Sequence, residues 1–264
     1  MPIVFAAITP HPTLLMPQIG KGAVEKLKKT KDAFKKMEEK LYVSRPDIIV
    51  IFTPHGHIYP HTFSVYAHTK FKSHYEHFGD FTTSDTWNGA PNFAAMLSDE
   101  AYNKQISIHL ESTEKIDHGV SIPLHFLTAH LPQIKVLPIS HSGLTAKTHL
   151  EFGSSIKNLS MQSQDRIALI ASANLSHALT SDSPAGFHKA GKEFDEMIIK
   201  LLESHNSAGI AHMDPTFVKN AAEYGYYSIL MLLGVIQKMN YTFKNYAYES
   251  PFGVGYLTGE FEFH

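Results

Sequence analysis

Ile48-Ile49-Val50-Ile51-Phe52-Thr53-Pro54-His55-Gly56 is an apolar run of strand length that stops on a histidine. A near copy, Ile3-Val4-Phe5-Ala6-Ala7-Ile8-Thr9-Pro10-His11-Pro12, lies close to the N-terminus, so Thr-Pro-His closes an apolar run twice. Two further runs, Ile134 to Ser140 and Ile167 to Ala173, share this length and β-branched enrichment and lead to His141 and His177. Continuous apolar runs without alternation indicate strands buried on both faces, as in a parallel or mixed sheet covered by helices. Such sheets place their ligand sites beyond the carboxyl ends of the strands, where the four histidines would converge. The expected fold is α/β: a single domain over residues 1–264 with a central mixed, largely buried β-sheet flanked by helices. The active site is expected at the strand C-terminal ends.

The segments between the runs fit this plan. Gly22 to Leu41 carries Val24, Leu27, Phe34, Met37 and Leu41 among lysines and glutamates, which predicts a surface helix crossing from the first strand to the second. Helices are also expected over Asn92–Tyr102, Ala146–Leu159 and Lys189–Glu203, and Asp214-Pro215 reads as an N-cap and first residue of a helix to about Ala222. Ser228 to Met239 is apolar nearly all round and is expected as a central, buried helix. Short strands are predicted at Phe63–Ala67 and Ile106–Leu110, and two more at Phe243–Tyr248 and Gly255–Phe263. The rest of His57–Ala90 is read as an aromatic-rich loop over one end of the sheet, its aromatic residues mostly packing.

Composition narrows the partners. Against 25 Asp+Glu stand 23 Lys+Arg, a net charge of -2 that attracts neither nucleic acid nor an anionic membrane, and small molecules are the expected partners. There is no cysteine, hence no disulfide, thiolate nucleophile or zinc-thiolate site. Ile229 to Ile236 is too short to span a bilayer and the N-terminus has no basic segment before a long apolar core, so a cytoplasmic protein is expected. Gly-x-Ser-x-Gly and His-Glu-x-x-His are absent, and Gly253, Gly255 and Gly259 precede a strand rather than the helix of a dinucleotide site. A homo-oligomer is left open, with the Trp87 region as the place for a contact.

The unusual residue is histidine, at 18 copies, and position has to select among them. A mononuclear non-haem iron(II) site needs two imidazoles and one carboxylate on one face, with positions left for substrate and dioxygen. His11 and His55 are the imidazoles, because Pro10 and Pro54 fix the backbone before each ring. Glu223, in the small, apolar segment Asn220-Ala221-Ala222-Glu223-Tyr224-Gly225, is the expected carboxylate; Glu249, before Pro251-Phe252-Gly253, is the alternative third ligand or a turn residue on backbone amides. His177 suits proton transfer near neutral pH, and His118, flanked by Asp117 and Gly119, suits donation to substrate or bound oxygen unless Asp117 simply orients it. His141 is read as supporting structure and His125 as a satisfied core histidine. The remaining histidines, His149 among them, sit in polar or loop-like contexts.

Taken in order, His11-Pro12, Thr53-Pro54-His55-Gly56, Asp117-His118-Gly119 with Ile122-Pro123-Leu124, Ser142-Gly143-Leu144, Asn174-Leu175-Ser176-His177, Glu223-Tyr224-Gly225 and Glu249-Ser250-Pro251-Phe252-Gly253-Val254-Gly255-Tyr256 resemble the class III extradiol ring-cleaving dioxygenases. The likeness is to the AmmeMemoRadiSam branch, related to the Memo proteins, and spans essentially the whole chain. It implies Fe(II) held by His11, His55 and Glu223, with His177 as acid/base and His118 in the substrate pocket. It further implies a catechol-like aromatic diol and dioxygen as reactants. Asn174 stands where relatives often have an aspartate, with an expected effect on the orientation of His177. No additional domain is expected after Tyr256.

Other chemistries suit the same residues. Two imidazoles and a carboxylate also fit a zinc-dependent hydrolase, and zinc or manganese is the alternative metal. The Memo likeness permits a metal-binding protein acting through partners. The plainest reading is a histidine-rich α/β domain without a metal.

Overall fold

Where the apolar runs meet Thr-Pro or Ser turns, the strands stop. In the computed structural model, which describes residues 2–264, the first half of the chain contains β1 (Ile3–Thr9), α1 (Pro17–Gly20), α2 (Lys28–Ser44), β2 (Ile48–Thr53), β3 (Phe63–Tyr66), β4 (Lys70–Lys72), β5 (Thr86–Gly89), α3 (Pro91–Asn103) and β6 (Ile108–Glu111). The middle adds α4 (His118–Leu127), β7 (Lys135–Ser140), α5 (Ala146–Gln162), β8 (Ile167–Ser172), β9 (Asn174–Ser176) and α6 (Lys189–Glu203). The last part is α7 (Ser207–Ala211), α8 (Pro215–Asn220), β10 (Glu223–Tyr224), α9 (Tyr226–Ile236), β11 (Tyr241–Glu249) and β12 (Tyr256–Phe263).

One sheet runs through the molecule in the order β10-β9-β12-β1-β8-β2-β7-β3-β6, with β11 on β12 and the β4–β5 pair joined to β7. The four apolar runs are its centre, β1-β8-β2-β7, all parallel. Antiparallel β12 and β3 flank them and make the sheet mixed, as expected. Thr9 pairs with Ser172 and Thr53 with Ser140, so all four strands end on one edge. One face packs on α3, α5, α6 and α9, and the other on α2 and α4, which buries the central strands on both sides. Among the described residues no helix is long and apolar enough to cross a membrane.

The predicted helices form, with one change. Residues Lys21–Leu27 wind as a 3-10 helix and the α-helix begins only at Lys28. Leu27 leaves the helical conformation at φ -104° and ψ 26°, and the Thr30 amide in the first turn of α2 is taken by Glu249 Oε1 at 2.8 Å. A carboxylate from β11 therefore caps α2, a long-range contact that local periodicity does not encode. Asp214 caps α8 as read, accepting from the Phe217 amide. The short β4, β5, β9 and β10 fall below the length at which a periodic signal is visible.

Two histidines lie elsewhere than expected, whereas Trp87 packs as the loop aromatics are expected to. His125 is half-buried on the outer side of α4 and bonds Asp85 at 2.9 Å, whereas Leu124 and Leu127 take the inner side; it is satisfied, but not core. His149 is wholly buried in α5, its two nitrogens meeting the Thr145 carbonyl and the Ser142 amide. Trp87 is buried in the chain's own core and donates to Thr128 Oγ1 at 2.9 Å.

The buried helix α9 crosses α5 at backbone contact. A Cβ on Gly234 would lie 2.3 Å from the Leu150 carbonyl oxygen, and one on Gly153 would lie 2.2 Å from that of Met231. Neither obstacle is a flexible side-chain end, so the helices would have to separate. Gly234→Ala is expected to lower stability by about 1–3 kcal/mol in urea unfolding, the range for overpacking a tight core.

Candidate metal centre

The strand edge carries a row of four fully buried hydroxyl residues, Thr9, Thr53, Ser140 and Ser172. Three of them hold the histidine turns in place. Ser172 Oγ lies 2.8 Å from His11 Nδ1, Thr53 Oγ1 accepts from the His55 amide at 3.2 Å, and Ser140 Oγ donates to the His55 carbonyl at 2.7 Å. Asn174 Oδ1 accepts from the His11 amide at 2.9 Å. Asn174 therefore positions His11, not His177 as expected; the His177 ring instead has Nδ1 at 3.1 Å from the Leu175 carbonyl.

His118 arrives on α4. Asp117 caps that helix, accepting from the Val120 amide at 3.2 Å and from Thr53 Oγ1 at 2.9 Å, and so ties the helix start to the end of β2. Gly119 allows the approach, because a Cβ there would sit 2.6 Å from Thr53 Oγ1 and 3.0 Å from His55 Cδ2. The His118 ring centre then lies 4.2 Å from that of His55 and 5.5 Å from that of His11. His11 Nε2 and His55 Nε2 are 3.1 Å apart. His11, His55 and His118 each present a ligand atom within 4.8 Å of the others, a group that could hold a metal ion.

Burial sets their charge. It pushes His11 well below the ordinary imidazole range, His55 down to about 3 and His118 down to about 4, and neighbouring imidazoles lower His11 and His55 further. All three are neutral at pH 7, the form that binds a metal. The spacing fits as well: two nitrogens bonded at ~2.1 Å and at right angles to one ion stand about 3.0 Å apart.

Both candidate carboxylates accept backbone hydrogen bonds. Glu249 is engaged at the start of α2. Glu223 Oε2 accepts from the Gly225 amide at 2.7 Å and the Tyr226 amide at 2.5 Å, at the N-terminus of α9, and Glu223 does not join the three-histidine group. Its Oε1 makes no hydrogen bond among the described residues. Burial pushes the Glu223 carboxyl up to about 7, opposed by the two amides.

Aromatic residues link the rest of the site. Tyr224 stacks on His55 at 5.7 Å and meets His177 edge-on at 4.8 Å. Phe78, from the loop after β4, lies 5.0 Å from His118. His141 stacks on Tyr227 at 5.1 Å, and His149 on the same ring at 4.3 Å. His177 is lowered by burial, with the Leu175 and Ala222 backbone opposing. The strand-end hydroxyls were readable in Thr-Pro-His and Ser140-His141; the roles of Asn174, Tyr224 and Phe78 carry no local signature.

The family described as the catalytic LigB subunit of aromatic ring-opening dioxygenase matches residues 5–259. Protein CA_C1420 of Clostridium acetobutylicum is 26% identical over 258 residues, covering 94% of this chain and 55% of that protein. A MEMO1 family protein of Methanosarcina mazei is 26% identical over 130 residues, 49% of this chain and 45% of that one. The chain thus spans about half the length of these relatives. The crystal structure of uncharacterized protein JW3007 from Escherichia coli K12 superimposes with a TM-score of 0.67 at 19% identity, covering 97% of this chain and 99% of that one, a likeness of fold.

Under His177 sits a buried carboxyl outside the histidine group. Asp195 of α6 accepts from the Ser176 amide at 2.9 Å and the Tyr248 hydroxyl at 2.6 Å, and burial pushes it up to about 6 despite both bonds. Between about pH 4 and 6 the folded protein keeps a proton that the unfolded chain has released, so this group's contribution falls as pH rises through that window. Two units correspond to about 3 kcal/mol. Asp195→Asn keeps the shape and both partners, and its unfolding free energy is expected to fall less than the wild type's from pH 4 to 6 in denaturant titrations.

Proposed function

The chain belongs to the family of the catalytic LigB subunit of aromatic ring-opening dioxygenase, and on that premise we propose a non-haem Fe(II)-dependent extradiol dioxygenase acting on a catechol-like aromatic diol. The observation that carries this reading is the convergence of neutral His11, His55 and His118 at the strand edge, with His177 across Tyr224 from His55. Bound Fe(II) would supply Lewis acidity to the two diol oxygens and redox chemistry toward dioxygen.

The protein's own groups have separable roles. His11 and His55 hold the metal. His177 Nδ1–H donates to the Leu175 carbonyl, which leaves Nε2 bare to take a phenolic proton and return it later. Tyr224, against His55 and His177, and Phe78, against His118, set aromatic rings next to the histidines where an aromatic substrate would bind. Anaerobic loading with Fe(II), then oxygen uptake over a panel of catechols, tests the reading; uptake with none of them would sink it. His177→Ala is expected to keep full metal content and lose roughly 100-fold or more in kcat.

The third ligand is assigned to Glu223. Three neutral imidazoles would leave a divalent charge uncompensated, and Glu223, beside the Tyr224 that stacks on His55, is a half-buried carboxyl with Oε1 free of hydrogen bonds among the described residues. His118 then serves as a donor to substrate. Glu223→Gln is expected to lose bound iron, whereas His118→Ala keeps the iron and loses turnover. The reverse pattern in elemental analysis would give the third place to His118.

The all-imidazole group also favours a second reading, a zinc-dependent hydrolase. Zinc retained through purification, with esterase activity indifferent to oxygen, would select it.

A further inference from the structure

A cavity of about 830 Å³ opens between α5, α7, α8 and the start of α9, with Glu223 among its lining residues. Leu150, Ala208, Ala211, Met213, Tyr226 and Tyr227 make it mainly apolar, and its size is that of a site for a drug-sized molecule. A second cavity of about 360 Å³ contains His177 and Tyr224. Val218, Lys219 and Glu223 line both cavities, so one wall leads from His177 into the apolar space. Tyr227, which carries the stacked rings of His141 and His149, closes the larger cavity on the side of the histidines.

The cations around this cavity are not equivalent. Lys147 faces Glu151 at 3.7 Å, whereas Lys219 makes no ion pair among the described residues and lines both cavities. His212 Nδ1 is spent on the Ala208 carbonyl at 2.7 Å. A ligand matched to these walls has an apolar body and a single anion placed against Lys219.

We infer that this cavity receives the non-reacting part of the substrate, so that the diol carries an extended apolar substituent with a carboxylate on it. This rests on the dioxygenase reading for the identity of the reacting end alone; the cavity and Lys219 stand independently of the chemistry. A bare catechol would leave the apolar space unused, whereas a substituted diol would bury its substituent there and use that binding to orient the ring.

The test uses three compounds on the purified protein without oxygen: catechol, 8-(3,4-dihydroxyphenyl)octanoate and its methyl ester, each titrated calorimetrically. Ala208 and Lys219 are both exposed, so their substitution leaves the core intact. Ala208→Trp, which fills the cavity, is expected to weaken the octanoate roughly tenfold and leave catechol unchanged. Lys219→Gln is expected to weaken the octanoate about threefold and leave the ester unchanged. Octanoate binding as tight in both variants as in the wild type overturns the inference. If Ala208→Trp does not fold, the acid-against-ester comparison at Lys219 decides alone. Oxygen uptake then separates the two readings. Loss of octanoate binding in the variants without uptake from any diol removes the dioxygenase and keeps the cavity. Equal kcat/KM for the octanoate in wild type and Ala208→Trp removes the cavity and keeps the dioxygenase.

Discussion

Two imidazole nitrogens 3.1 Å apart, one of them on a fully buried ring, cannot both carry a proton. Burial already disfavours charge on His11 and His55, and each imidazole makes the next harder to protonate. The contact therefore persists either as one hydrogen bond between neutral rings or as two bare lone pairs facing a common ion. Ser172 bears on that choice, because an Nδ1–H of His11 donated to its hydroxyl leaves His11 Nε2 bare. The geometry is held from the backbone side: β1 and β2 are not neighbours but sit on either side of β8, whose last residue supplies that hydroxyl.

Placing two turns on either side of a third strand requires the ends to be level, and here the sequence was legible. The runs before His11, His55, His141 and His177 have matched lengths and no alternation, which is what a parallel quartet buried on both faces requires. Its helices followed from periodicity and from the Asp214-Pro215 cap. Where reading failed, the deciding contact was remote in sequence. Glu249 accepts from the Thr30 amide 219 positions away, so the backbone amide it meets belongs to α2 and not to its own turn. Asn174 lies three residues before His177 and was read with it, yet its side chain faces the His11 amide 163 positions away. His149 and His125 were misplaced for another reason: a helix with an imperfect apolar stripe does not say which histidine turns inward, and here packing against Phe63 and Tyr227 decides it for His149.

Glu223 stands under two opposing forces. Its position at the start of α9 offers two amides and the positive end of a helix that is buried along almost its whole length. Those bonds favour the carboxylate, yet burial outweighs them and leaves the group titrating at about 7, with no cation to offset the cost. The amides thus fix where the carboxyl stands without settling its charge. A divalent ion at the neighbouring histidines would supply the missing counter-charge and drive off the proton, which couples occupancy of the ion site to ionisation of Glu223. Metal affinity would then weaken as pH falls below 7, well above the pH at which the depressed histidines begin to compete.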